Sequence, residues 1–266
     1  MLAHLAERNV AVRLLPDAAQ RLRQPELAVP LDALAATDLV VVLGGDGSVL
    51  ATARATAAHQ TPILAVHVGG FGFLNEVAAG NMLSALEALC AGDYRLEARM
   101  MLTAAVTRGG RVVDSSVGLN DAVIAKGAFS RLLNLRTFVN DQFVAIFPAD
   151  GLVVATPTGS TAYSLSAGGP IVPPDEKLLL VTPICAHTMA TRPLVVGGDE
   201  SIRVEVDLPA GANVEVMLTV DGQVGIPLQH GDGVTVRRAR LSARFVRFGK
   251  PAFYERLREK LNWGST

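Results

Sequence analysis

The stretch Leu39-Val40-Val41-Val42-Leu43-Gly44-Gly45-Asp46-Gly47-Ser48 does most to limit what this chain can fold into. A continuous apolar, β-branched run without polar alternation predicts a strand covered on both faces, the condition of a parallel sheet inside an α/β layer. Three glycines end the run, and the alanine-rich segment from Val49 to His59 predicts a helix with Ser48 as its N-cap. Glycines at a strand-to-helix turn let the backbone approach a ligand and aim N–H groups at anionic oxygens. Asp46 puts a carboxylate into that same turn, where an anion would repel it, so a base or a metal partner is the expected reason for it.

The first part of the chain alternates helix and strand signals. Leu2, Leu5 and Ala6 give a short helical face, and Val10, Val12 and Leu14 read as a strand ended by Pro16. Pro62 precedes an apolar strand from Ile63 to Val68, and Asn81 reads as the cap of a helix through Met82, Leu83, Leu86 and Leu89 that Gly92 closes. Strands separated by helices predict a parallel sheet. From about Met100 short alternating runs take over, broken at Gly109-Gly110, Asn140-Asp141, Gly197-Gly198, Pro209-Ala210-Gly211, Asp221-Gly222 and Gly231-Asp232-Gly233. They predict a mostly β domain of two packed sheets, with Asn140-Asp141 as a hairpin turn. Phe253–Trp263 reads as an amphipathic helix that packs back on the first domain through Leu257, Leu261 and Trp263. The expected organisation is an α/β domain over 1–98 carrying the glycine turn, a β-rich domain over 99–240, and a tail with a helix over 241–266. A cleft between domains is then the default binding site.

Composition narrows the classes. Half of the 266 residues are apolar, and 24 basic against 25 acidic side chains leave no basic stripe for a nucleic acid. No apolar stretch reaches membrane-spanning length, and Met1 opens no signal-peptide pattern. Cys90 and Cys185 lie far apart without metal or redox spacing, and the five histidines form no ligand cluster. A soluble cytoplasmic protein with reduced thiols is the expectation.

Three further segments carry chemistry. In Asp150–Gly169 an apolar strand opens into a loop dense in hydroxyls, where Thr158, Ser160, Thr161 and the backbone around Gly159 could bond phosphate or ribose oxygens and Tyr163 could stack on a flat ring. The plain alternative is a capped loop whose hydroxyls satisfy their own backbone, which this density disfavours. Asn120-Asp121 interrupts what otherwise reads as a strand; a polar pair there costs packing unless it is used, a bulge or turn being the alternative. Asp221-Gly222-Gln223 alone reads as a hairpin turn, Phe71–Glu76 as a loop after a strand, and His187 as a hydrogen-bonded structural histidine.

Taken in order, Gly44-Gly45-Asp46-Gly47, Gly72-Phe73-Leu74, Leu119-Asn120-Asp121, Asp150–Gly169, Pro183-Ile184-Cys185 with His187, Arg192-Pro193-Leu194 and Asp221-Gly222-Gln223 resemble the bacterial NAD kinase family over nearly the whole chain. The glycine-aspartate turn is shared with diacylglycerol, sphingosine and phosphofructokinase-type kinases; the Asp150–Gly169 block after an Asn-Asp pair is specific. The resemblance implies phosphoryl transfer from ATP to the 2′-hydroxyl of the adenosine ribose of NAD. It implies Asp46 as the base, Gly45, Gly47 and Phe73 against the same nucleotide, and Asn120 and Asp121 on ribose hydroxyls. Asp150 would take the nicotinamide end, and Thr161, Ala162, Tyr163, Ser164, Leu165 and Ser166 would cradle the dinucleotide. Arg131, Gln223 and the backbone at Cys185 complete the pocket. A divalent cation, Mg²⁺, would bridge the donor phosphates, with no protein metal ligands assigned, and relatives suggest a homodimer or homotetramer.

Three positions depart from the family pattern. Met1 already falls in the first helix, so the usual opening strand lies upstream or the sheet is shortened. Pro148 stands where many relatives carry a basic residue, and Gly70 replaces a polar one. The competing expectations are a lipid or small-alcohol kinase sharing the turn, and a non-catalytic NAD(P)-binding sensor. Polyphosphate as donor and NADH as acceptor stay open.

Overall fold

The computed structural model describes residues 1–70, 72–127, 132–187, 191–207, 215–249 and 253–263. In chain order these form α1 (Leu2–Ala6), α2 (Pro16–Leu22), α3 (Leu31–Ala35), β1 (Val40–Leu43), α4 (Asp46–Thr56), β2 (Ile63–His67), β3 (Val77–Ala78) and α5 (Met82–Ala91). The strands β4 (Arg95–Arg108), β5 (Arg111–Gly118), β6 (Asp121–Lys126), β7 (Leu133–Val139), β8 (Gln142–Ala149) and β9 (Gly151–Ala155) follow, then α6 (Tyr163–Ser166). The chain ends in β10 (Leu178–Ile184), β11 (Leu194–Gly197), β12 (Ile202–Asp207), β13 (Val216–Val220), β14 (Val224–Leu228), β15 (Gly233–Arg247) and α7 (Phe253–Lys260). Two compact units emerge, Met1–Ala98 with Ala243–Thr266, and Arg99–Ser242.

In the first unit β1 and β2 run parallel in the register Val40↔Ile63 to Leu43↔Val66, and β3 adds in parallel at Val66↔Val77. The β2 side chains from Ile63 to Val66 are fully buried, and Leu64 and Val66 pack with Val77, Ala85 and Val246. Here β1 corrects the expectation of a strand covered on both faces. Val41 is only half-buried and Leu43 is 51% exposed, and among the described residues β1 is an edge strand paired to β2 alone, its end opening into the glycine turn. The helix after it also starts earlier than Ser48. Extended Gly45 (φ −91, ψ −177) is the cap, and Asp46 opens α4, where an acid complements the helix dipole. Val10–Leu14 forms no strand; Leu14 makes one parallel bridge to Ala28, since alternation without a partner to pair with yields no ladder. Helix α5 ends as read, on left-handed Gly92 (φ 77), but the Asn81 side chain makes no capping bond. The last helix, α7, ends at Lys260, short of the expected Trp263; of the residues read as packing, Leu257 is buried and Trp263, beyond the helix end, is 54% exposed.

The second unit is a two-layer β structure, as expected. One layer is the antiparallel sheet β11-β10-β9-β6-β13-β14; the other runs β15-β12-β7-β8, with β4 beside β15 and β5 beside β4. Side chains of both layers interdigitate in one core, from Leu102, Ala104 and Val106 to Leu135, Leu152, Val181, Val204 and Leu218. Two of its hairpins turn where the sequence placed them, and the Pro209-Ala210-Gly211 break lies outside the described residues. Gly109-Gly110 (φ 56 and 79) joins β4 to β5, and Asn140-Asp141 (φ 48 and 64) joins β7 to β8, both as two-residue left-handed turns. Leu119-Asn120 does not interrupt one strand but separates two, β5 and β6. Among the described residues no helix is long and apolar enough to cross a membrane.

Candidate functional site

In the first unit the carboxylate of Asp46 does not face solvent alone. It accepts the backbone N–H of Phe73 (3.1 Å) and of Leu74 (3.3 Å) and the side-chain amide of Asn75 (3.4 Å). Gly72 makes this approach possible, since a Cβ there would lie 2.7 Å from one Asp46 oxygen and closer still to the other. The glycine turn and Phe73 are thereby brought together, with Gly45 and Gly47 exposed beside them. Behind this loop stands a charged cluster. Arg247 donates to the Leu74 carbonyl (3.1 Å) and Arg256 to that of Asn75 (2.9 Å). The Glu76 carboxylate accepts from Arg247 (3.1 Å), Arg256 (2.5 Å) and the N–H of Phe248 (2.8 Å). Burial pulls the Arg247 guanidinium below its usual range, and Glu97 and Glu76 work against that. Neither Glu76 nor the arginines carried a sequence signal beyond their charge.

In the second unit Asn120, just before β6, and Asp121, its first residue, are clamped from both sides. The Asp221 carboxylate accepts the N–H groups of Leu119 (2.9 Å), Asn120 (2.8 Å) and Asp121 (3.2 Å). From the other side Thr156 donates its hydroxyl to the Leu119 carbonyl (2.6 Å) and its N–H to that of Asn120 (2.8 Å). Gly159 is required beneath it, since a Cβ there would lie 2.6 Å from the Asn120 carbonyl carbon and closer still to its oxygen. The side-chain Oδ1 of Asn120 is buried with no partner among the described residues. Buried acceptors are rarely left so, and a hydroxyl donor from a ligand would satisfy it. Burial, and then the neighbouring Asp221 carboxylate, push Asp121 up to about 7. Asp221 is the residue that sequence reasoning missed: an Asp-Gly pair in a hairpin says turn, and only the tertiary pairing shows what its carboxylate holds.

The hydroxyl-rich loop corrects one expectation. Ser160 is fully buried and its hydroxyl exchanges bonds with the backbone of Val172 (3.0 and 3.1 Å). Thr158 is buried and accepts from Arg99 (3.4 Å), while Thr161 donates to the Thr158 carbonyl (3.3 Å). Ser164 is buried and bonded to Thr182 (3.0 Å). The hydroxyls mostly build the loop, because a buried turn must satisfy its own backbone first. Tyr163 and Ser166 are exposed, and Thr161, Ala162 and Leu165 half-exposed, along one segment. Asp150 pairs with Lys126 (3.1 Å), a cation not singled out from sequence, and its N–H donates to Ile184 (3.0 Å), next to left-handed Cys185 (φ 47). Pro148 lies in β8 and its carbonyl accepts the N–H of His187 (3.1 Å). Gln223 is exposed on the β13–β14 turn. Arg131 lies outside the described residues.

An α/β unit that fixes a carboxylate at its glycine turn, and a β unit of two packed sheets that buries an orphaned acceptor on Asn120, define a protein of the α/β plus β-sandwich class. The particular family follows from comparison. Residues 4–94 match the ATP-NAD kinase N-terminal domain and residues 119–248 the ATP-NAD kinase C-terminal domain. The chain is 47% identical over 262 residues to the NAD kinase of Desulforamulus reducens, covering 98% of this chain and 90% of that protein. It is 46% identical over 263 residues to that of Moorella thermoacetica, covering 99% and 83%. A yeast NADH kinase solved in complex with NADH superposes with a TM-score of 0.86 at 30% identity, covering 99% of this chain and 82% of that one. An NAD kinase from Archaeoglobus fulgidus in complex with ATP shares the fold, with a TM-score of 0.72 at 23% identity over 93% of this chain and 92% of that one. The chain belongs to the ATP-NAD kinase family.

Proposed function

We infer that the protein phosphorylates NAD, using ATP to convert the 2′-hydroxyl of the adenosine ribose into a phosphate ester and releasing NADP and ADP. The observation that carries the reading is the Asp46 carboxylate, held by three donors at the start of α4. Phosphoryl transfer asks a protein chiefly for alignment and charge stabilisation, and a sugar hydroxyl is a poor nucleophile. In this reading Asp46 takes the 2′-hydroxyl proton as the phosphoryl group arrives, with Gly45, Gly47 and Phe73 against the nucleotide. A carboxylate fixed in place spends no energy on reorienting during that step. Asn120 and Asp121 hold ribose hydroxyls, the first through its orphaned Oδ1. Asp150 takes the nicotinamide end, and Tyr163, Ser166 and the backbone of Thr161, Ala162, Ser164 and Leu165 cradle the dinucleotide. Arg131, Gln223 and the backbone at Cys185 complete the set.

The described residues hold no group of three or more His, Cys, Asp or Glu that could cage a metal ion. Mg²⁺ needs no such cage, since it keeps waters and is held by substrate phosphates with one or two carboxylates. When bound, such a cation would neutralise charge on the donor phosphates, with Asp46 of the glycine turn the carboxylate available to hold it. Exposed, unbridged Cys90 and Cys185 suit a reducing compartment, and we place the protein in the cytoplasm. A homodimer or homotetramer is favoured by β8, which ends its sheet with Phe143, Val144 and Ile146 exposed.

Asp46→Asn tests the assignment. It keeps NAD binding in calorimetry and lowers turnover by about 10²–10⁴, read with a dehydrogenase that accepts only NADP. Turnover near that of the unsubstituted chain removes Asp46 from the role of base. Unsubstituted protein that folds and binds NAD but makes no NADP favours the non-catalytic sensor instead.

A further inference from the structure

We propose that Arg256, on the C-terminal helix, is a positioning residue that sets the Asp46 carboxylate through the Leu74–Glu76 segment and so governs turnover without touching either substrate. The inference rests on Asp46 being the base.

The loop from Phe73 to Glu76 has two chemically opposite sides. On one, the N–H groups of Phe73 and Leu74 and the Asn75 amide converge on Asp46. On the other, the carbonyls of Leu74 and Asn75 and the Glu76 carboxylate are taken up by Arg247 and Arg256. A peptide unit is rigid, so fixing the Asn75 carbonyl also restrains the residue that carries the Asp46-bound amide. Asn75 is itself fully buried, and its Oδ1 has no partner among the described residues. Arg256 does the holding with two separate nitrogens, Nη1 on the Asn75 carbonyl (2.9 Å) and Nη2 on Glu76 (2.5 Å). This bidentate geometry belongs to a guanidinium and is not reproduced by an ammonium.

The two arginines differ in what they can reveal. Arg247 lies in β15 with a side chain 3% exposed, so its removal threatens the fold. Arg256 sits on a surface helix with a side chain 16% exposed, so its loss should spare the core.

The test compares Arg256→Met and Arg256→Lys with the unsubstituted protein. The expected result for Arg256→Met is a fall in kcat of about tenfold to hundredfold with KM for NAD and for ATP within about twofold, as misplacing a reacting group does. Arg256→Lys, with one donor head, should recover part of that loss, and added guanidinium at millimolar concentration should raise kcat of the methionine variant alone. Amide hydrogen exchange at Phe73 and Leu74 should quicken in both variants. Unchanged kcat, a raised KM with kcat intact, or unaltered exchange at these two amides overturns the proposal. Should the methionine variant fail to fold, the lysine variant decides by the same exchange reading. Unsubstituted protein that makes no NADP would end the functional reading, while exchange at Phe73 and Leu74 would still judge the link from Arg256 to the loop.

Discussion

Asp121→Asn makes a sharp test of the buried acid pair. Asp121 is 5% exposed and lies beside Asp221, which already accepts three backbone N–H groups. Its pKa rises from 3.8 to about 7 because burial, first, and the Asp221 charge, second, oppose ionisation. The folded chain therefore holds a proton that the unfolded chain releases. The associated stability is fully present below about pH 4 and is lost as pH climbs towards 7. Its full extent, from the difference between the two values, is up to about 4 kcal/mol. Asparagine cannot ionise, and its amide can donate to the Asp221 carboxylate that repels the native side chain. The backbone bonds of residue 121 to Asp221, N–H to carboxylate and carbonyl to N–H (3.0 Å), survive the change. Urea unfolding at half-unit steps from pH 4.5 to 8 should show the variant gaining on the parent as pH rises and levelling off above about 7. A stability difference that stays constant across that range would refute the coupling, and one that shrinks with rising pH would reverse its sign.

Other expectations follow from single contacts. Gly159→Ala drives a Cβ into the Asn120 carbonyl, which is backbone and cannot swing away. It should cost about 3 kcal/mol in denaturant titration and raise KM for NAD. Arg108 bonds Asp232 at 2.7 and 2.8 Å, and that bonding holds the Asp232 carboxyl below the usual carboxylate range. The stability from this pair is present above the ordinary carboxylate range and lost as pH falls through the lowered value. Arg108→Met should therefore move the acid-unfolding midpoint, followed by circular dichroism, to higher pH. Phe143→Lys with Ile146→Lys on the exposed face of β8 should reduce the mass of the native assembly in light scattering if that edge joins two copies.

Much of this protein is legible residue by residue. The β-branched run before Gly44 announces a strand entering a turn, and Asn140-Asp141 and Gly109-Gly110 announce their hairpins. Each depends on backbone preferences that act over a few neighbours. The Asp46 turn and the Asn120-Asp121 pair declare themselves because polar residues at such places are costly unless used. The misreadings share a cause as well. Val10–Leu14 has the alternation of a strand and forms none, because a strand exists only by pairing. Ser160 looks like a ligand hydroxyl and is bonded to the backbone of Val172, 12 residues away. The sequence by itself determined the turns, the two-part α/β and β organisation, and the carboxylate at residue 46, all local consequences of side-chain shape and backbone freedom. Only the tertiary structure decided who holds whom: Asp221 under Asn120 from 101 residues away, and Arg256 behind Asn75 from 181. Hydrogen bonds between distant segments leave no periodicity in the chain, since their geometry exists only once the elements between them have packed.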